Sequence, residues 1–571
     1  MSAQELITEH LDLWTGAVTK KSASGRGNNG KIELTGVKRL RELILELAVR
    51  GSLVDQDTSD EPAQKLLEQC LKAKAVSVEL GKLKKVRKHA SITNDDTSFS
   101  LPQGWVWSRL DDVVRVINGR AYKKHEMLSS GTPLLRVGNL FTSNDWYYSD
   151  LELEDDKYID SGDLIYAWSA SFGPFIWDGG RAIYHYHIWK LDLFDEAAID
   201  KRFLYLYLKA VTEEIKSSGS GIAMIHMTKS KMEELIVPVP PLKEQHRIVQ
   251  KVDELMALCD RLEQQTNDQL EAHETLVDTL LGTLTQSENA TELADNWTRL
   301  AAHFDTLFTT EQSIDKLKQT ILQLAVMGRL VEQDAGDEPG STFVSKMLKA
   351  RDHLASNEGM RTKAGNDVSP DEKYLSLPDT WEWIKLGNIA KFIDYRGKTP
   401  IKTSHGKRLI TAKNIRQGYI DLEPEEFISE EDYTEWMTRG FPRKGDLLFT
   451  PEAPLGNAAI VDLNEEFALA QRAICFQWHI LDISRFMLIQ IMASPFQEKL
   501  VENATGMTAT GIKASKLKEI PVAIPPLKEQ HRIVQKVDEL MALCDQLKER
   551  LNRARGTRCQ LAETIVQQAL S

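Results

Sequence analysis

The sequence predicts an α+β fold in which two α/β domains are joined by two long, mutually paired helices in a pseudo-twofold repeat. Three observations lead there. The stretch Pro240–Asp260 returns without one change at Pro525–Asp545, and a self-match of that kind marks a structural repeat. Apolar residues following each copy step by three and four, the pattern of a coiled-coil helix. Between the repeated flanks lie two stretches of short strands and turns, 101–239 and 377–524, that agree far less with each other.

The helices come first. Pro240-Pro241 and Pro525-Pro526 set an extended approach, and Leu242 and Leu527 then open the helical run. In the second copy the seam reads Ile533, Val537, Leu540, Cys544, Leu547, Leu551, Ala554, Leu561 and Ile565, with Arg558 as an interruption. The first copy matches it at Ile248, Val252, Leu255, Cys259 and Leu262. Thr266, Gln269 and His273 then occupy the seam before Leu276 and Leu280 resume. Two matching seams in one chain point to mutual pairing. From Ile533 to Ile565 such a helix spans roughly 50 Å at about 1.5 Å per residue.

A second, shorter repeat precedes each variable stretch. Leu40–Val54 and Leu317–Val331 read as related helices, with Gly51 near the stop of the first. Asp60-Glu-Pro matches Asp337-Glu-Pro, and Lys-rich connectors follow at Lys72–Lys88 and Lys346–Lys373. Trp105-Val-Trp and Trp381-Glu-Trp open the two domains. Inside them only islands agree, such as Arg136-Val-Gly-Asn with Ala412-Lys-Asn, and Gly162-Asp-Leu with Gly445-Asp-Leu. The expected layout is a helical region with linker (1–100), a domain (101–239), a central helical region (240–376), a second domain (377–524) and a closing long helix (525–571). Near-identical struts carrying dissimilar domains suit a chain that presents two different recognition surfaces.

Composition narrows the function. The 571 residues are 42% hydrophobic and 27% charged, an ordinary soluble composition. No apolar run could span a bilayer and the N-terminus lacks a signal pattern, so a cytoplasmic protein is expected. The five cysteines have neither metal-ligand nor redox spacing; Cys259 and Cys544 read as packing residues. A net charge of −13 argues against indiscriminate nucleic-acid binding. No catalytic, metal or cofactor-binding residue is assigned. Gly25, Gly30 and Lys31 mimic a phosphate loop, but Ile32 stands where Ser or Thr is needed. Asp163 and Asp446 read as turn residues leading into buried strands.

Charge is distributed unevenly. Lys391, Arg396, Lys398, Lys402, Lys407, Arg408, Lys413 and Arg416 stand against Asp394 alone, interleaved with Tyr395, Thr399 and Asn414. A run holding only acids follows, from Asp421 to Glu435. The first domain has a weaker version in Arg115, Arg120, Lys123, Lys124 and Arg136, followed by the acidic run Asp145–Asp163. Basic segments interleaved with polar and aromatic side chains suit phosphate contact plus readout of base edges.

Together these pieces resemble the specificity subunit (HsdS) of Type I restriction–modification systems. The resemblance is carried by the twice-present motif at Val237–Val249 and Val522–Val534, by the Trp-x-Trp openings, and by Tyr395-Arg-Gly-Lys-Thr-Pro with Thr411-Ala-Lys-Asn-Ile. Thr505-Gly-Met-Thr-Ala-Thr-Gly-Ile-Lys also fits, and the likeness covers about residues 35–571. It implies two target recognition domains, each reading half of a split asymmetric site in double-stranded DNA, with the long helices paired antiparallel as a ruler. It implies two modification subunits that methylate adenine with S-adenosylmethionine, and two restriction subunits that use ATP and Mg. This chain would bind none of those cofactors.

The expected DNA-binding residues are Arg120, Tyr122, Lys123, Lys124 and Arg136 in the first domain. In the second they are Arg396, Lys398, Lys413, Asn414 and Arg416, with Lys229 and Lys513 on loops that return to the DNA. The competing reading is a non-catalytic protein–protein scaffold with tandem docking domains and no DNA contact. A stand-alone enzyme is disfavoured by the missing motifs.

Overall fold

The computed structural model of the chain describes residues 7–20, 32–81, 83, 89–169, 171–217, 228–288, 290–357, 367–395, 400–470, 472–505 and 511–570. They form two compact units. Unit 1 comprises Met1–Gln269 with Arg553–Ser571, and unit 2 comprises Leu270–Asn552. Four helices organise them: α1 (Thr35–Val49), α2 (Leu242–Gln286), α3 (Glu311–Val326) and α4 (Leu527–Leu570).

In unit 1, α1 packs Leu40, Leu43, Ile44 and Leu47 into one core with Ile248, Val252 and Leu255 of α2 and Ala562 of α4. Ion pairs fix the order of the three helices. Arg41 of α1 reaches Asp260 at 2.7 Å and Glu263 at 3.0 Å on α2, while Arg39 reaches Glu563 on α4 at 3.0 Å. Arg50 donates to the Leu570 carbonyl at 3.0 Å, and Gln56 to Glu244 at 2.6 Å. So α1 runs antiparallel to α2 and parallel to α4, and within this unit α2 and α4 are antiparallel.

Unit 2 repeats the arrangement at equivalent positions. Lys318 of α3 pairs with Asp545 of α4, and Lys316 with Asp278 of α2 at 2.7 Å. Gln333 donates to Glu529 at 2.5 Å. The expected pairing of the long helices therefore includes a third helix in each unit, and that changes the seam. Leu276 and Leu561, both placed on the seam from the sequence, are 50% exposed, and Ala554 is exposed as well; Val277 and Ala562 are buried instead. An α-helix drifts against a strict seven-residue repeat, and a third partner widens the stripe it buries. Cys259 and Cys544 are buried as expected.

Helix α1 ends before Val54 because Gly51 takes φ +72° and turns the chain. A Cβ there would press on Pro102 and the Trp105 ring; Gly328 (φ +69°) repeats this against Pro378 and Trp381. The N-terminal segment also has a place in unit 1. Trp14, in the short helix Leu11–Gly16, is wholly buried in its core.

The variable stretches share a topology that their sequences conceal. In unit 1, β1 (Val106–Arg109) pairs antiparallel with the distant β10 (Ile236–Val239). Between them lie β2 (Val114–Asn118), β3 (Thr132–Leu135), β4 (Tyr147–Ser149), β5 (Tyr158–Ile159), β6 (Leu164–Ser169), β7 (Ser171–Ile176), β8 (Ala182–Tyr184) and β9 (Ile188–Leu193). They form two sheets ordered β2-β9-β6-β7 and β4-β3-β8-β5, with β3 and β8 parallel.

In unit 2, β11 (Glu382–Lys385) pairs with β19 (Pro521–Ile524) in the same way. The strands between are β12 (Ala390–Asp394), β13 (Lys407–Ile410), β14 (Phe427–Ile428), β15 (Leu447–Phe449), β16 (Ala458–Ile460), β17 (Phe467–Leu469) and β18 (Ile474–Trp478). Their sheets are ordered β12-β18-β15-β16 and β14-β13-β17, with β13 and β17 parallel.

Candidate nucleic-acid interface

The island shared by the two domains, Arg136-Val-Gly-Asn and Thr411-Ala-Lys-Asn, follows the parallel strands β3 and β13. Its Asn is a staple. Asn139 accepts from its own Arg136 N–H at 3.2 Å and donates to the Asp145 carbonyl at 2.9 Å. Asn414 accepts from the Thr411 N–H at 3.0 Å and hydroxyl at 2.9 Å, and donates to the carbonyls of Asp421 and Pro424. At 1% exposure, with its amide group so occupied, Asn414 holds a loop and offers no edge to a base, contrary to the sequence reading.

Tyr122 is a second correction. Its ring is buried with Leu134 and Ile183, and the Arg120 guanidinium lies 5.1 Å above it. An aromatic ring buries readily beside apolar strand residues, a role that the neighbouring lysines masked.

The charge argument changes as well. In unit 2 the acidic run folds back onto the basic one. Lys402 pairs with Glu426 at 2.8 Å, Arg416 with Asp421 at 3.2 Å, and Arg408 with Glu425 at 3.1 Å and Glu465 at 2.7 Å. Lys407 pairs with Glu466 at 2.9 Å. In unit 1, Arg120 makes a two-pronged pair with Glu126, at 2.7 and 3.2 Å. Sequence counting sees a net charge that these pairs neutralise in part inside each domain.

Lys123, Lys124, Lys413 and Lys513 remain at the surface, and none has a carboxylate partner among the described residues. Lys229 pairs with Glu233 at 3.5 Å and lines a cleft of about 510 Å³, with Lys74, Arg115 and Lys157 facing Asp111 and Asp156. Arg136 stacks its guanidinium 4.3 Å from the Tyr147 ring and donates to the Asp145 carbonyl. Arg396, Lys398 and the phosphate-loop mimic at Gly25, Gly30 and Lys31 lie outside the described residues.

Asp163 and Asp446 sit in turns before strands β6 and β15, as expected. Asp163 accepts from Lys190 at 2.6 Å, and Asp446, wholly buried, from Arg443 and Gln477. Among the described residues no group of three or more His, Cys, Asp or Glu could hold a metal ion, and no helix is long and apolar enough to cross a membrane.

Sequence reading passed over one cluster. His185, Tyr186 and His187 form the turn between β8 and β9, their rings 3.9 to 4.9 Å apart, and Trp168 closes on His187 at 4.9 Å. Burial first, then His187 and Arg136, push the His185 imidazole down to about 4. The alternation Tyr184-His185-Tyr186-His187 was the visible signal. The matching turn of unit 2, between β17 and β18, carries Arg472 at φ +70°.

A two-unit fold of this kind, with unlike domains on like helical feet, defines a bivalent recognition subunit. Residues 102–272 and 378–554 each match the family model described as Type I restriction modification DNA specificity domain. The chain belongs to that family of specificity subunits. It is 34% identical to the EcoAI Type I restriction enzyme specificity subunit of Escherichia coli and 33% identical to the EcoEI subunit of the same species, in both cases over 100% of each chain. The crystal structure of the HsdS subunit from Thermoanaerobacter tengcongensis aligns at 18% identity with a TM-score of 0.39, covering 83% of this chain and 98% of that one.

Proposed function

We infer that this chain is the DNA-specificity subunit of a Type I restriction–modification complex, reading a two-part asymmetric target and scaffolding its partners. The observation that carries this is the matched pair of recognition domains, alike in their core strand order and unlike in sequence. Because the domains differ, the half-sites should differ, so the target is not a palindrome. Adenine methylation with S-adenosylmethionine falls to two modification subunits, and ATP- and Mg-dependent cleavage to two restriction subunits.

The pairing of Lys402, Arg408 and Arg416 with acids lends some support to a docking scaffold without DNA contact. Gel-shift titration of the purified complex, first on random and then on target duplex, separates the two. Specific binding at least about a thousandfold tighter than random binding is expected of the specificity subunit. No binding to either duplex would leave the scaffold.

A further inference from the structure

Resting on that reading, the geometry of the two domains points to where bases are read. The turn between the second parallel strand and the strand that follows it in the other sheet occupies the same topological position in both units: His185–His187 between β8 and β9, and Ala470, Arg472 and Ala473 between β17 and β18. The framework around the first turn is fixed by backbone. Arg120 N–H donates to the Tyr184 carbonyl, and Tyr186 N–H to the Arg120 carbonyl at 3.0 Å. Gly119 is required here, since a Cβ would lie 2.3 Å from the His185 carbonyl oxygen. The Trp168 indole donates to the Tyr186 carbonyl at 3.0 Å. On this base Tyr186 is 40% exposed, its ring against the His185 and His187 imidazoles.

The second turn is built differently for the same place. Arg472 holds a left-handed backbone that L-residues with long side chains rarely adopt. Its guanidinium is 56% exposed and braced by Glu452 at 3.0 Å. Glu452 stands on the β15–β16 connection, next to Ala453 with φ +38°, and bridges Gly511, two residues before Lys513. A strained arginine held by a carboxylate and left open at its far edge is poised to use two parallel N–H donors. Guanine, through O6 and N7, is the base edge that accepts both.

We propose that this turn in each domain reads base edges of its own half-site, Arg472 taking guanine in one and Tyr186 with His187 contacting bases in the other. The buried flanks Ala470 and Ala473 in unit 2, and Tyr184 and Ile188 in unit 1, anchor the turns while the tips differ.

The test uses the full complex with its modification subunits, read by methylation-sensitive sequencing and by binding to target and random duplex. Arg472→Gly keeps the left-handed backbone without strain and removes the side chain; Arg472→Lys keeps the charge and gives up the fork. Both should relax one guanine of one half-site about ten- to hundredfold and leave the other half unchanged. Tyr186→Ala with His187→Ala should relax only the other half. An unchanged motif in these variants, or an equal loss on every sequence, overturns the proposal. If the unsubstituted chain directs no motif, the specificity-subunit reading falls and takes the proposal with it.

Discussion

The indole Nε1 of Trp381 donates to a carboxylate oxygen of Glu529 at 3.1 Å, joining the opening of the second domain to the first turn of α4. Gln333, just beyond α3, donates to the same oxygen, so one buried carboxylate ties three segments together. Glu244 holds the equivalent position in unit 1. Replacing Glu529 with Ala strands the buried Trp381 N–H and removes the Gln333 contact, and should cost about 2 kcal/mol in unfolding free energy, measured by urea denaturation.

That carboxylate also sets a pH dependence. Burial raises the pKa of Glu529, and of Glu244, above the usual value despite their hydrogen bonds. A raised folded pKa means the contribution is fully present below the unfolded pKa and lost as pH rises through the folded one. Glu529→Gln keeps an acceptor and carries no charge. It should flatten the stability profile between about pH 4.5 and neutral, without loss at pH 7.

Histidines act in the opposite direction. Burial pushes both His185 and His479 down to about 4. Their neutral forms stabilise the fold fully above the ordinary histidine value of 6.5, and that contribution is lost as pH falls through about 4. The double change His185→Gln and His479→Gln should reduce the acid sensitivity of the melting temperature across that window. An unchanged slope would place both rings in solvent.

The helix register predicts unequal neighbours. Val277→Ala empties a buried site and should cost about 2 kcal/mol, whereas Leu276→Ala, at an exposed position, should stay within about 0.5 kcal/mol.

Much of this was legible in the residues. The duplicated helices, the Trp-x-Trp openings and the stop at Gly51 follow from local pattern and from identity between the copies. The register beyond Leu262 was not legible, because it depends on α1 and α3 filling the groove beside the long helices. Nor was the fate of the charges. Lys402, Arg408 and Arg416 read as a free basic stripe until the chain between them and Glu426, Glu425 and Asp421 reverses. Asn414 looked like a base reader for the same reason: its partners are backbone carbonyls that no composition reveals.

Cations that contact phosphate and cations paired within a domain should behave differently. Arg396→Ala with Lys398→Ala should weaken DNA binding and reduce the slope of log K against log salt by about 0.9 for each phosphate left without its cation. Arg408→Ala, which breaks pairs with Glu425 and Glu465, should lower domain stability and leave the slope unchanged. Fluorescence anisotropy over a salt series checks both.

The most direct measurement is methylation-sensitive sequencing of DNA from a host that carries the partner methyltransferase, with and without this chain. One two-part, non-palindromic adenine motif should appear with the chain and vanish without it. Methylation that is the same in both hosts, or confined to a single palindrome, would contradict two unlike domains each choosing half of the site.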